Sequence, residues 1–275
     1  MIPERFRGVW QRVSLSVDGG AWCEPAQVVW VQTGAIFGDI RLPFDGRSDE
    51  HPEMSFAGTL TWSDPCLTWV HKLDLFDDGG SDDTVDTASV SWHGDELVCS
   101  GQFPRESSTV PYTEVWRRLA GSHEPALSLV RADGHGVLVQ VGDHAVTIAD
   151  DRLRGGDYRA CYRSRTAGGW AVALSIGARP DSLPAPPDVS DQCEAMVLDG
   201  RRWHVLERSS SPARTPAEPA SSGRPPAGRT PSPITSSERP AGRPSSEPVP
   251  ARRTSSEQPA GERVSSRRSL ASAQP

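Results

Sequence analysis

The sequence has little of what membrane-spanning, disulfide-linked or zinc-binding proteins usually carry. No apolar run approaches the roughly 20 residues that a bilayer-spanning helix needs, so we expect no membrane span. The five cysteines are odd in number and far apart, and no Cys-x-x-Cys pair occurs among Cys23, Cys66, Cys99, Cys161 and Cys193. This spacing excludes the common zinc knuckle and the thioredoxin-type pair. We therefore expect no metal and no cofactor.

The amino terminus, MIPERFRGVW, lacks the charged and then apolar pattern of a secretory signal. Cysteines in a chain without such a signal are expected to stay reduced, so we predict a cytoplasmic protein. Lysine occurs once, as Lys72, while Arg, Ala, Gly, Pro and Asp are abundant. This bias is typical of a bacterium with a GC-rich genome.

Aromatic residues and cysteine are absent from the last quarter of the chain. From Arg208 onward there are 16 Ser, 13 Pro, 11 Arg and 5 Glu. The formal charge of −7 therefore divides into +6 on residues 208–275 and −13 on residues 1–207. The tail is too poor in apolar residues to offset the entropy lost on ordering, so we expect 208–275 to be disordered. An acidic body is a poor match for a phosphate backbone, so we expect no nucleic-acid partner.

The body shows the pattern of strands and no pattern of helices. No segment keeps an i, i+3, i+4 apolar spacing over a dozen residues. Apolar and polar residues instead alternate with a period near two, as in residues 27–33, 67–75 and 113–119, and Asp-Gly or Gly-Asp pairs separate such segments. Alternation interrupted by hairpin turn signals predicts an all-β fold of antiparallel strands.

A boundary near residues 120–125 divides this all-β body into two halves. Each half ends on a Trp-bearing strand with basic residues, at 115–119 and at 202–208. We therefore predict two tandem barrels, one over residues 1–121 and a smaller one over residues 122–207. A single barrel of about fifteen strands is the alternative, and it is less favoured because so wide a barrel needs a filled or wet lumen.

Several segments taken together resemble a known family. A Gly-x-Trp opens the chain at 8–10, residues 28–33 run through a short turn into 37–43, and Trp-bearing segments close the halves at 112–119 and 202–207. In order and spacing these resemble the Hri-type family of fungal and bacterial proteins. That family is similar in fold to lipocalins and other calycins, with two β-barrel domains in tandem. The resemblance covers residues 1–207 and implies a fold more than a function.

The resemblance also implies a contact at the floor of the first barrel. In calycins the Trp of the Gly-x-Trp closes the floor, and an Arg from the last strand packs over it. Trp10 would be the floor residue, and Arg117 or Arg118 its partner. Indole and guanidinium stack face to face, while the guanidinium donors can satisfy nearby carbonyls.

His71 lies in an otherwise apolar alternating segment. Regular alternation places Leu67, Trp69, His71, Leu73 and Leu75 on one strand face. Such a histidine could ligate a haem, act as an acid or base in a pocket, or be a core residue satisfied by its neighbours. No second histidine at ligand spacing supports a metal site, and we favour the core role.

Two other strand segments combine charged and apolar residues. Arg41 shares a face with Asp39, and Glu114 shares a face with Trp116 and Arg118. If these faces line a lumen, their charges can hold a polar headgroup. If they face outward, they form ion pairs that contribute little, and this second interpretation is favoured. Alternation by itself does not decide which face is inside.

The segment 74–86, DLFDDGGSDDTVD, is strongly acidic. Alternating oxygens around a glycine could hold calcium, but an EF-hand loop needs a terminal Glu that this segment lacks. We therefore expect a solvated hairpin loop.

No motif for catalysis is present. The sequence contains no G-x-S-x-G, H-E-x-x-H, G-x-G-x-x-G or Walker loop. We predict a non-enzymatic binding module that holds a small apolar or amphipathic ligand or binds a protein partner. The alternatives are a barrel enzyme of the cyclase or isomerase type and a haem-binding barrel with His71 as axial ligand. The candidate ligand-binding residues are Trp10, Trp30, Arg41, His71, Glu114, Trp116 and Arg118.

Overall fold

The structure is a computed structural model, and its fold is all-β, which confirms the predicted class. It describes residues 2–44, 52–77, 83–105, 108–177, 182–187 and 194–209. These residues form fifteen strands and two short 3-10 turns, Glu4–Phe6 and Arg152–Arg154. The disorder expected of residues 208–275 concerns a segment that lies outside the described residues from position 210 onward.

The first half closes into an eight-stranded antiparallel barrel in which each strand pairs with the next and β8 pairs back with β1. Its strands are β1 Gly8–Val17, β2 Ala26–Gln32, β3 Phe37–Pro43, β4 Met54–Ser63, β5 Cys66–Asp74, β6 Val85–His93, β7 Glu96–Arg105 and β8 Ser108–Arg118. Because successive strands alternate in direction, the loops after β1, β3 and β5 lie at one end, here called the mouth. The loops after β2, β4 and β6 and the turn Glu4–Phe6 lie at the other end, here called the base.

The second half is a seven-stranded antiparallel sheet of order β13-β12-β11-β10-β9-β15-β14. Its strands are β9 Ala126–Arg131, β10 Gly136–Val141, β11 His144–Asp150, β12 Tyr158–Thr166, β13 Gly169–Ile176, β14 Ala195–Leu198 and β15 Arg201–Ser209. In the part of the chain that the structure describes, β13 and β14 are the two edges and do not pair with each other. The second half therefore differs from the closed barrel that the sequence led us to expect.

The reason for this difference is that one face of the sheet packs on the outer wall of the barrel. Val29, Val31 and Ile40 on that wall share one apolar core with Val139 and Val146 of the sheet. The barrel and the sheet accordingly belong to one compact unit. Since this face is covered by the barrel, the sheet gains its burial without curling around a lumen of its own.

A β-bulge in β5 corrects the predicted face of two leucines. The register between β4 and β5 shifts at Ala57 and Gly58, so that Gly58 pairs with His71 while Ala57 pairs with Leu73. One inserted residue moves every later side chain to the opposite face. The prediction that Leu73 and Leu75 share the face of His71 is therefore wrong, because both pack in the outer core against the sheet.

Candidate functional site

The base of the barrel is sealed by a stack of an arginine on a tryptophan. Trp10 is fully buried, and the guanidinium carbon of Arg118 lies 4.3 Å from the centre of its ring. The indole Nε1 donates to the carbonyl of Phe6 at 2.9 Å, and Arg118 donates to the carbonyls of Arg5 and Arg7. Of the two arginines that the resemblance implied, Arg118 is thus the one over Trp10.

Gly8 is what allows Arg118 to reach this position. Its φ of +131° is one that residues with a side chain rarely adopt, and a Cβ there would collide with the Arg118 guanidinium. The glycine of the Gly-x-Trp sequence and the arginine of the last barrel strand therefore depend on each other.

The middle of the lumen is filled by aromatic rings. Trp30 is almost fully buried, with its ring centre 6.1 Å from that of Trp10. Trp69 and Trp116 each meet Trp30 edge-on at 5.7 Å. This layer excludes water from the base and forms the floor of the polar region above it.

Above the tryptophans, toward the mouth, lies a network of paired charges. Arg12 donates to Glu114 at 2.7 Å and to both carboxylate oxygens of Glu24 at 2.9 and 3.0 Å. Arg41 donates to both oxygens of Asp39 at 2.8 and 3.4 Å and lies 3.6 Å from Glu114. Glu114 therefore bridges two arginines inside the barrel, and the favoured outward placement of these charges was wrong.

The low-dielectric surroundings of this network shift its proton affinities. Burial disfavours the charge on Arg41, but Asp39 and Glu114 outweigh that effect and raise the pKa of Arg41 above its usual range. Burial also raises the pKa of Asp39, with Arg41 opposing the rise. Burial and the Glu114 charge raise the pKa of Tyr112.

His71 completes the charged region from the opposite wall. Its Nδ1 lies 2.8 Å from Asp74, and its Nε2 lies 3.3 Å from Asp86 in an ion-pair contact without hydrogen-bond alignment. The ring stacks on Phe56 at 4.2 Å. Burial lowers the pKa of His71, but the two carboxylates outweigh burial and raise it to about 9. His71 is therefore a cation at neutral pH.

Six of the seven residues predicted for ligand binding face the lumen, Arg118 covers its base, and together they lie at three depths. Trp10 and Arg118 lie at the base, Trp30 and Trp116 in the middle, and Arg41, His71 and Glu114 toward the mouth. The space left among the middle and upper groups is about 30 Å³, lined by Trp30, Asp39, Arg41, Phe56, Trp69, Asp86, Tyr112, Glu114 and Trp116. A volume of this size holds about one or two water molecules.

Sequence reasoning missed four members of the charged region, namely Arg12, Glu24, Asp74 and Asp86. Asp74 and Asp86 are the two ends of the acidic segment that was interpreted as a solvated loop, while its residues 78–82 lie outside the described residues. Asp74 points inward only because of the bulge in β5, so regular alternation could not reveal it. Arg12 lies two residues after Trp10 on β1, and this spacing is the one signal that placed it in the lumen.

The comparisons with known proteins agree with this architecture. The model of the family described as Protein HRI1 matches residues 8–207, and the chain belongs to that family. The crystal structure of the uncharacterized protein YLR301w from Saccharomyces cerevisiae is similar in fold, with a TM-score of 0.57 and 14% identity. The match covers 74% of this chain and 99% of the yeast chain. No curated protein sequence matches at a significant level. Among the described residues, no helix has the length and apolar character to cross a bilayer.

Proposed function

We propose that this protein is a non-enzymatic binding module that docks a basic, arginine- or lysine-bearing segment of a protein partner at the mouth of its lipocalin-like barrel. The observation that carries this proposal is the combination of exposed aromatic side chains and excess carboxylates at that one end. The sequence left two kinds of ligand open, a small apolar molecule and a protein, and the filled lumen supports the second.

Among the described residues, the space inside the barrel is too small for a typical apolar ligand. Pockets for small molecules usually measure about 300–1,000 Å³, whereas the space above the tryptophan layer is about 30 Å³. The aromatic rings that were expected to line a pocket instead pack against one another. Binding through the mouth and its loops therefore fits the geometry better than storage within the lumen.

Large apolar side chains stand exposed around the mouth. Trp22 is 57% exposed on the loop after β1, Phe44 64% after β3, and Phe76 60% after β5. The backbone N–H of Phe44 donates to the carbonyl of Pro25 at 3.0 Å, which ties two of these loops together. Exposed aromatic groups that gather at one end of a fold are typical of an interaction surface.

The charged side chains of the mouth give the expected partner its sign. The cations are Arg12, Arg41 and His71, and the carboxylates are Glu24, Asp39, Asp74, Asp86 and Glu114. Within this described network of paired side chains, the carboxylates outnumber the cations by two, and this balance favours an incoming positive charge. This network would repel an anionic membrane surface, which favours a protein partner over a lipid surface.

Arg41 illustrates the chemistry that this end of the barrel recognises. Its guanidinium binds the Asp39 carboxylate with two donors and lies 4.9 Å from the centre of the Phe56 ring. A carboxylate fork combined with an aromatic face is the usual arrangement for holding a guanidinium. The exposed rings of the rim and the half-exposed Asp86 offer the same two groups to an incoming side chain.

The proposal is tested with the full chain and a fluorescently labelled peptide of alternating Arg and Ser, by anisotropy at physiological salt. We expect saturable binding that weakens as salt is raised. The double variant Trp22→Ala/Phe44→Ala should bind at least about tenfold more weakly, because two aromatic contacts are lost. The matched control is Val197→Ala, another large exposed apolar side chain, which lies on β14 at an edge of the second sheet.

Two results would contradict the proposal. One is equal binding of a peptide with Glu in place of every Arg, and the other is an unchanged affinity in the double variant. A native mass spectrum of the freshly purified chain tests separately for a bound small molecule. A co-purified small molecule there would favour the ligand-holding alternative instead.

The remaining expectations from the sequence stay proposals. The haem alternative has less support, because both ring nitrogens of His71 face carboxylates. We propose residues 1–121 and 122–207 as the two structural halves of the module, followed by the tail. A cytoplasmic location is supported by the thiols of Cys23, Cys66 and Cys99, which form no disulfide in the described part of the chain.

A further inference from the structure

A second recess lies at the base of the barrel, at the opposite end from the mouth. It is a cleft of about 690 Å³ between the base and the ends of β9, β10 and β15. Its volume lies within the range of small-molecule sites. The polar side chains that line it include those of Arg7, Arg118, Gln32, Ser122 and Glu207.

The positive charges in this cleft are incompletely balanced. Arg118 donates to the main-chain carbonyls of Arg5 and Arg7, and within the described residues no carboxylate pairs with it. Burial lowers the pKa of Arg118, as expected for a cation without a counter-ion. Guanidinium groups held by carbonyls alone keep their full charge available to an anion.

Arg7 adds a second, weakly paired guanidinium. Its nearest carboxylate oxygen is that of Glu207 at 3.8 Å, which is too long for a hydrogen bond. The Nε of Arg7 is buried and has no hydrogen-bond partner. Buried donors of this kind are rare, and each one calls for a partner such as a ligand atom or an ordered water.

Cations outnumber carboxylates on the inner wall of the cleft. Glu4 and Glu124 are exposed at the rim, as are Arg5 and His123. Among the described residues of the inner wall, Glu207 is the one carboxylate, and it lies 3.8 Å from Arg7. The rim is mixed in sign, while the interior carries two cations and one anion.

We propose that this cleft binds a small anionic molecule, through a phosphate or carboxylate group held by the guanidinium groups of Arg7 and Arg118. The anion would supply the acceptor that the Arg7 Nε lacks and the counter-charge that Arg118 lacks. The stack of Arg118 on Trp10 holds its planar group in a fixed orientation for two parallel hydrogen bonds. This site is independent of the proposed docking surface at the mouth.

The test uses isothermal titration calorimetry on the full chain with inorganic phosphate and with citrate, at constant ionic strength adjusted with chloride. Arg7→Gln should weaken binding about tenfold, the effect of losing one charge-assisted contact. Glu207→Gln should tighten it, because a competing anion is removed. Both substitutions break the same 3.8 Å ion pair, so a purely structural effect would change affinity in the same direction in both.

Arg117→Gln is the matched control, since Arg117 is the next residue on β8 and its side chain is 63% exposed in a pair with Glu96. The affinity of the Arg117→Gln variant for the anion should equal that of the wild type. Binding of phosphate without citrate would identify a phosphate site, and binding of citrate without phosphate a carboxylate site. No heat with either anion, or equal weakening in Arg117→Gln and Arg7→Gln, would overturn the proposal.

Discussion

Replacing Glu114 with alanine is expected to destabilise the full chain by about 3 kcal/mol, the lower end of the cost of breaking a buried ion pair, because Arg12 keeps Glu24 and Arg41 keeps Asp39. Glu114 accepts from Arg12 at 2.7 Å and lies 3.6 Å from Arg41, and all three side chains are at least four-fifths buried. Removing the carboxylate would leave two guanidinium groups close together in the lumen. Their mutual repulsion adds to the lost attraction.

Urea denaturation of the wild type and of Glu114→Ala, followed by tryptophan fluorescence, measures this difference. The control is Glu96→Ala, which removes the carboxylate from the pair with Arg117 on the outside of the same barrel. An exposed pair of this kind contributes about 0–1 kcal/mol. Equal effects of the two substitutions would show that burial does not strengthen the inner pair.

The stability of the chain should fall as the pH rises from 6.5 toward 9, because of His71. Folding raises the pKa of this group from 6.5 to about 9, so the protonated imidazolium is favoured in the folded state. Its contribution is therefore complete below pH 6.5 and is lost as the pH rises through 9. At about 1.4 kcal/mol for each pH unit, the loss amounts to at most about 3 kcal/mol.

Denaturation curves at a series of pH values test this dependence. His71→Phe should be less stable at pH 6 and should lose most of the slope above pH 6.5. Asp74→Asn should reduce the slope without abolishing it, because Asp86 still faces the ring. If His71→Phe keeps the slope of the wild type, another group is responsible.

The sequence was sufficient for the class of fold and, in part, for the seal at the base. Alternation with period two predicts antiparallel strands wherever a single face is buried. The family resemblance implied an arginine over Trp10 but left Arg117 and Arg118 open, and the structure selects Arg118.

The sequence did not decide whether the charged faces of the strands point into the lumen or toward solvent. Asp39, Arg41 and Glu114 alternate in the same way whether they face water or a lumen. On β3 the inward direction follows because Ile40, on the opposite face, packs against the sheet.

The second half was harder to predict because the middle of its sheet, at β10, is covered on both faces. Residues 136–141 of β10 are all buried, and the near-continuous apolar run of Val137 to Val139 reflects this. Such a run is typical of a strand with two covered faces. The sequence thus held a signal that this sheet packs on something else, but not that its neighbour is the outer wall of the barrel.

The sheet packs on β2, β3 and β4, so these strands should be more stable against local opening than the strands on the other side of the barrel. Those strands are held from behind by β10 and β11, whereas alternate residues of β6 face solvent along its length. Opening fluctuations follow the side with fewer buried contacts. Amide hydrogens of β6 and β7 should therefore exchange with deuterium well before those of β2 and β3. Any transient opening of the barrel should begin between the strands on this side, which the sheet does not cover.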